Sequence, residues 1–160
     1  MDEAPPQLDC RIEHIYISKG HNYVGHHGKP PGTHQILEID EVECVEGSGL
    51  TGDRYFDHKD NYKGQITFFE MEIYEKLCNE LEEKEKLPSA FRRNILTRGI
   101  DLNKWIGRKF SLQGILFEGS EECRPCYWMD QGFAAGADAA LKNHGGLRAR
   151  ILSTGILRVT

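Results

Sequence analysis

No apolar run in the chain approaches the roughly 18–20 residues that a membrane-spanning helix requires. The N-terminus, Met1-Asp2-Glu3-Ala4-Pro5-Pro6, is acidic and lacks the apolar core of a secretory signal. Excess positive charge is missing too. Twenty Lys and Arg stand against 25 Asp and Glu, a formal net charge of −5. That disfavours non-specific nucleic-acid binding while leaving room for a local basic pocket. Nor is there a disulfide framework: five cysteines is an odd count, and Cys10, Cys44 and Cys78 stand alone in unrelated segments. Those three read as small buried hydrophobes. Internal repeats, low-complexity runs and dividing linkers are also absent. What remains is 160 residues with 39% apolar and 28% charged content, enough to bury a real core. The expectation is one soluble domain over residues 10–160, preceded by a flexible tail at 1–9, in a reducing cytoplasm and without membrane or nucleic-acid partners.

Short strands dominate the pattern. Arg11 to Ser18 is β-branched and reads as a strand, and Gly20 to Gly32 as a loop because glycine and proline crowd it. Gln35 to Val45 predicts one or two strands with a turn near Asp40. Gln65 to Phe68 predicts another. Phe69, Ile73, Leu77 and Leu81 recur every four residues with acidic residues between them, the mark of an amphipathic helix that Pro88 ends. Arg92 to Thr97 reads as a strand, and Asp101 as the N-cap of a short helix closed by Gly107. Phe110 and Leu112 face Ile115 and Phe117 across Gln113-Gly114, a hairpin signal. Ala134 to Lys142 reads as a helix, Leu147 to Ile151 as a strand with one basic face, and Ile156 to Val159 as a last strand. Strands and helices do not alternate regularly, so a doubly wound parallel sheet is not expected. The fold class is mainly β: an antiparallel, barrel-like sheet with a few peripheral helices.

Chemistry concentrates in Cys123-Arg124-Pro125-Cys126-Tyr127-Trp128. Two thiols lie three positions apart around a proline, with a cation between them. A zinc half-site is one reading, but it needs a second ligand pair that the sequence does not supply. A thioredoxin-like pair is another, but it belongs at a strand-to-helix turn of a βαβ unit. Two inert buried thiols are a third. The fourth is a reactive thiolate favoured by nearby cations. Arg54, Arg92, Arg93, Arg148 and Arg150 are placed to converge on it, and such surroundings also bind phosphate or another oxoanion. Against this, arginines alternating along a strand are commonly a solvated face, the reading preferred for Arg150 and Arg158. Asp53-Arg54 is equally readable as a surface ion pair. His21, His26, His27 and His34 read as loop decoration.

The order of motifs resembles one family. Gly52-Asp53-Arg54 follows a glycine turn, Gly64-Gln65-Ile66-Thr67 leads into the acidic helix, and Arg93-Asn94-Ile95 comes next. Gly99-Ile100-Asp101-Leu102, Gly107, Pro125-Cys126 and Gly145-Gly146-Leu147-Arg148-Ala149-Arg150 complete the series. From about residue 35 onward this is similar to the MOSC domain, named for the C-terminal domain of molybdenum-cofactor sulfurase. The resemblance implies a β-barrel-like fold and assigns the family's key cysteine to Cys126, as a persulfide carrier or a molybdenum ligand. Cys123 is the neighbour that resolves an oxidised or persulfidated Cys126. Asp53, Arg54, Arg92, Arg93, Asn94 and Arg148 become the candidates for holding the molybdenum cofactor (molybdopterin). Related members reduce N-hydroxylated compounds with that cofactor. The family's association with pyridoxal phosphate lies in an aminotransferase-like half bearing a Schiff-base lysine, which this sequence lacks, as it lacks a ferredoxin-like cysteine cluster and a flavin motif. The implied partners are therefore a cysteine desulfurase or an electron-transfer protein, besides an anionic small molecule. Family members commonly run on into a Gly-Asp turn and one more strand where this sequence stops at Thr160. The alternatives from other classes are a sulfur-relay module without turnover of its own and a structural dithiol or zinc protein.

Overall fold

The structure, a computed structural model, describes residues 4–21 and 28–160. The reading of His26 and His27 lies outside the described residues. Ten strands form in chain order: β1 (Arg11–Ser18), β2 (Ile36–Ile39), β3 (Glu41–Val45), β4 (Gly49–Leu50), β5 (Ile66–Glu70), β6 (Ile95–Arg98), β7 (Lys109–Leu112), β8 (Ile115–Glu122), β9 (Leu147–Ile151) and β10 (Gly155–Arg158). Three helices join them: α1 (Met71–Glu80), α2 (Trp128–Gly132) and α3 (Ala137–Ala140). The chain is mainly β, as its sequence predicts.

Seven strands pair in the order β2-β1-β6-β5-β9-β8-β7, and three more in the order β10-β3-β4. The barrel-like expectation is not confirmed, because the larger sheet does not close. Its outer members are β2 and β7, and on its outer side β7 is met, among the described residues, by a bridge from Gln7 to Ser111. The Leu8 amide donates to the Ser111 carbonyl at 2.8 Å and the Ser111 amide to that of Pro6 at 2.9 Å. Residues 6–8, read as tail, thus lie against an edge strand and blunt it. The antiparallel expectation also has one exception. β5 and β6 run parallel, with Phe68 opposite Ile95. A parallel pair needs a long crossover, and α1 supplies it.

α1 is shorter than its periodicity suggests. Phe69 and Glu70 belong to β5, which passes directly into the helix at Met71, and the helix stops at Glu80, well before Pro88. Phe69 nevertheless packs with Leu77, because both face the same apolar layer. Pro88 opens a 3₁₀ turn, Pro88–Phe91, rather than closing α1. The hairpin forms as read: Gln113 and Gly114 take φ of 51° and 79°, the left-handed pair that a two-residue turn requires.

Two apolar layers cover the sheet. One joins Ile12, Ile66, Phe68, Ile95, Phe110 and Phe117 to Val42, Cys44, Leu50 and Leu157 of the smaller sheet. The other places Phe69 and Leu96 against Leu77, Phe91, Met129 and Phe133 beneath the helices. Alternation decides which layer a residue joins. Phe68 faces the first layer. Its neighbours Thr67 and Phe69 face the second, and the candidate site lies at the rim of that layer.

Candidate functional site

Arg148 alternates with the buried Leu147 and Ala149, so it leaves β9 on the helix side of the sheet. Thr67 lies opposite it on β5 and Glu121 opposite it on β8. This outward face is not solvated. The segment between Asp53 and Gly64 is laid across it. The Asn61 carbonyl accepts from Arg150 Nε at 3.2 Å, Lys63 Nζ pairs with Glu121 at 3.1 Å, and Ser120 Oγ donates to the Lys63 carbonyl. Gly64 permits the close passage: a side chain there would stand 3.1 Å from the Tyr62 ring and 3.5 Å from Arg148.

Between this segment, the end of β8 and α2 lies a cavity of about 140 Å³. Its wall contains Arg54, Arg92, Arg93, Arg124 and Arg148, both Cys123 and Cys126, and, among the described residues, no carboxylate. In a chain of net charge −5, five guanidiniums thus border one small concavity.

The arginines differ in what they do. Arg93 is buried, and each of its nitrogens donates to a backbone carbonyl: Nε to Gly145 at 2.9 Å, Nη1 to Phe91 at 2.9 Å and Nη2 to Cys123 at 3.2 Å. It fixes the cavity wall. Arg92 caps the 3₁₀ turn in the left-handed region at φ 57°, a strained position for a residue with a Cβ. Its Nη2 donates to Ser18 Oγ and to the Gly20 carbonyl, both at 3.1 Å. Arg54 pairs with Asp53 at 3.2 Å, reaches the Arg92 carbonyl at 3.1 Å and lies 4.8 Å over the Tyr55 ring. Arg148 touches Glu121 at 3.2 Å on one side. On the other it faces the Cys123 thiol. Burial opposes its charge, but Cys123, Tyr62 and Tyr55 outweigh burial and hold the guanidinium above its ordinary pKa.

Two sequence candidates do not reach the cavity. Asp53 is buried; its Oδ1 accepts from the Ser18 amide at 3.0 Å and from Arg54, and its Oδ2 from the Tyr55 amide at 3.4 Å. It turns the loop and orients Arg54. Asn94 binds the Thr67 amide at 2.9 Å through Oδ1 and the Tyr16 carbonyl at 3.1 Å through Nδ2, tying β1 and β5 to the entry of β6. Both are scaffold for the site.

The two thiols are unequal. Cys123 is 6% exposed, its amide donates to the Gly146 carbonyl at 2.8 Å, and its carbonyl is held by Arg93. Gly145 is required beside it, since a Cβ there would come 2.1 Å from the Cys123 oxygen. Cys126 is exposed at the cavity mouth, and its carbonyl accepts from Met129 at the start of α2. Trp128 lines the cavity, whereas Tyr127 is 46% exposed.

The motif order and this arrangement together agree with the family comparison. The MOSC domain model matches residues 26–160. The chain belongs to the MOSC domain family. No curated protein sequence matches this MOSC domain significantly. Among solved structures it resembles YuaD from Bacillus subtilis, with a TM-score of 0.67, 17% identity, and coverage of 94% of this chain and 91% of that one. It also resembles YiiM from Escherichia coli, with a TM-score of 0.64, 19% identity, and coverage of 92% of this chain but 65% of YiiM. YiiM from Geobacillus stearothermophilus gives 0.66, 14%, 94% and 71% in the same order. At these identities the likeness is one of fold.

Three cavity residues of this MOSC domain escape the sequence reading. His21, Tyr55 and Tyr62 line the wall. His21 meets Tyr55 edge-on at 4.9 Å, and Tyr55 stacks on Tyr62 at 5.6 Å. His58 adds to the cluster, 4.8 Å from Tyr62. Burial, then Arg54 and His58, lower the pKa of His21, which favours a neutral imidazole, and its Nδ1 is buried with no hydrogen-bond partner among the described residues. The available signal was the aromatic content of a polar loop, since tyrosines in such a segment must pack on something.

Proposed function

We propose that this MOSC domain holds the anionic end of the molybdenum cofactor in the arginine-walled cavity, with the Cys126 thiolate as a ligand to the metal. The observation that carries the reading is the convergence of five guanidiniums and two thiols on one cavity wall that, among the described residues, holds no carboxylate. The donor set fits the group. Guanidiniums match phosphate and other oxoanions in geometry and charge, and a thiolate is a soft ligand. Among the described residues no three His, Cys, Asp or Glu side chains converge to hold an ion, so a metal here must bring most of its ligands with it, as a cofactor-bound metal does. When bound, the cofactor would supply redox chemistry at the metal. The chain's own residues would do the rest. Arg54 and Arg148 neutralise the anion, Arg93 fixes the wall, Tyr55 and Tyr62 exclude water from one side, and the neutral His21 is placed to accept or donate a proton. Reduction of an N-hydroxylated compound at this site would draw electrons from a partner protein.

Cys126 is also exposed, which favours a second use, as an acceptor of sulfur from a cysteine desulfurase. A thiolate at a cavity mouth is a competent nucleophile for that transfer. The test of the first reading is molybdenum analysis of wild type and Cys126→Ser purified from cells with intact cofactor biosynthesis. Molybdenum in the wild type and its loss in the variant are expected; equal metal in both overturns the ligand role.

A further inference from the structure

We propose that Cys123 is a resolving thiol, which attacks the sulfur carried by Cys126, expels the outer sulfur as hydrosulfide and leaves a Cys123–Cys126 disulfide. This rests on the sulfur-acceptor reading of Cys126 and adds an activity to it, reductive release of sulfide. The two thiols share one cavity wall but not one exposure. Cys126 meets solvent, where a donor protein or a small polysulfide reaches it. Cys123 is 6% exposed and lines the cavity that Cys126 also lines, so sulfur held by Cys126 is an electrophile within the same cavity.

The backbone at Cys123 is fixed on both sides, by the Gly146 carbonyl on its amide and by Arg93 on its carbonyl. The thiol is therefore presented from a set position. The side chain faces the Arg148 guanidinium, with Tyr62 alongside. A neighbouring cation favours the thiolate form of a nucleophilic cysteine in general. Residues 123–126 connect β8 to α2 without a turn, so a disulfide, which needs the two Cα atoms roughly 4.4–6.8 Å apart, forms only as this short connection bends.

The step balances. Cys126 carries a persulfide, Cys–S–S–H. The Cys123 sulfur bonds to the Cys126 sulfur, the sulfur–sulfur bond of the persulfide breaks, and the outer sulfur leaves with the electron pair. The proton given up by Cys123 goes to the leaving group. The outer sulfur is reduced to hydrosulfide and the Cys123 sulfur is oxidised into the disulfide. Two equivalents of a small thiol then restore both cysteines by exchange.

The experiment uses the full chain, reduced, treated with sodium polysulfide and freed of excess, as wild type, Cys123→Ser and Cys126→Ser. Intact mass, free-thiol count and released hydrosulfide are followed together. Cys123→Ser is expected to retain one added sulfur on Cys126. Wild type is expected to lose its added sulfur at least about tenfold faster, because the attacking thiol is held in place, and to end with two fewer thiols and a Cys123–Cys126 linked peptide. A wild-type adduct as long-lived as that of Cys123→Ser overturns the resolving role alone. Failure of Cys123→Ser to take up sulfur on Cys126 overturns the acceptor reading, and this inference with it. Arg148→Lys, which keeps a cation near Cys123, is expected to preserve release, and Arg148→Met to slow it; equal rates in the two would contradict the part given to the cation.

Discussion

Replacing Arg93 by Met tests whether this guanidinium is a fastener of the site or a ligand-binding group. Its three nitrogens each donate to a backbone carbonyl, those of Gly145, Phe91 and Cys123, and the residue is 8% exposed. Methionine fills much of the volume but donates nothing, so three buried carbonyls lose their partner. Each unsatisfied buried acceptor costs about 1–3 kcal/mol. Removing the buried charge returns part of that, since a desolvated guanidinium is itself held at a penalty of several kcal/mol. The net loss expected is about 3–5 kcal/mol, the usual range for breaking a buried charged network. For a domain of this size each kcal/mol shifts the melting temperature by about 2–4 °C, so a fall of roughly 6–20 °C is expected by thermal denaturation. Arg93→Lys, which restores a single donor group, should recover only part of it. A melting temperature within a degree or two of wild type for Arg93→Met would refute the fastening role.

Other expectations follow from the same geometry. Burial, then Asp101 and Glu72, push Glu70 up to about 7. A raised carboxyl favours its neutral form in the folded chain, so its contribution is present below the unfolded pKa of about 4.5 and is lost as pH rises through about 7. Because Glu70 is only half buried, solvent screening reduces this to about 1–2 kcal/mol. Glu70→Gln should therefore flatten the decline in stability between pH 4.5 and 7 in urea titrations; an unchanged pH profile would count against it. Gly145→Ala would drive a Cβ to 2.1 Å from the Cys123 carbonyl and 2.9 Å from Pro125. It should cost about 1–3 kcal/mol, read as a lower melting temperature, and should raise the alkylation rate of Cys123; normal values of both would show that the loop yields freely.

Period-two strands were the most legible part of the sequence. β1, β9 and the β7–β8 hairpin stand where the pattern puts them, because one face of each is buried. The periodic pattern overruns α1 at both ends, since β5 runs into it without a loop and Phe69 serves strand and helix layer alike. At the site, the paired thiols and most of the arginines could be read from residue type. Asp53 and Asn94 were assigned to a ligand because polar residues beside a glycine turn or a strand entry look available; buried amides and carbonyls of distant strands claim them instead. The contact of Tyr62 with Arg148 joins a loop to a strand more than eighty residues away, and no local period encodes it. Arg148 itself sits on the face that alternation marks as solvated. Only the loop laid across that face turns it into a cavity wall.

The most direct test is the rate at which iodoacetamide labels Cys126 with and without inorganic phosphate, at ionic strength matched with chloride. If the guanidiniums and the exposed thiol form one anion site, phosphate slows labelling of Cys126 in wild type, and Arg148→Met removes much of that protection while leaving the fold intact. Identical labelling rates with and without saturating phosphate in the wild-type protein would contradict a shared site.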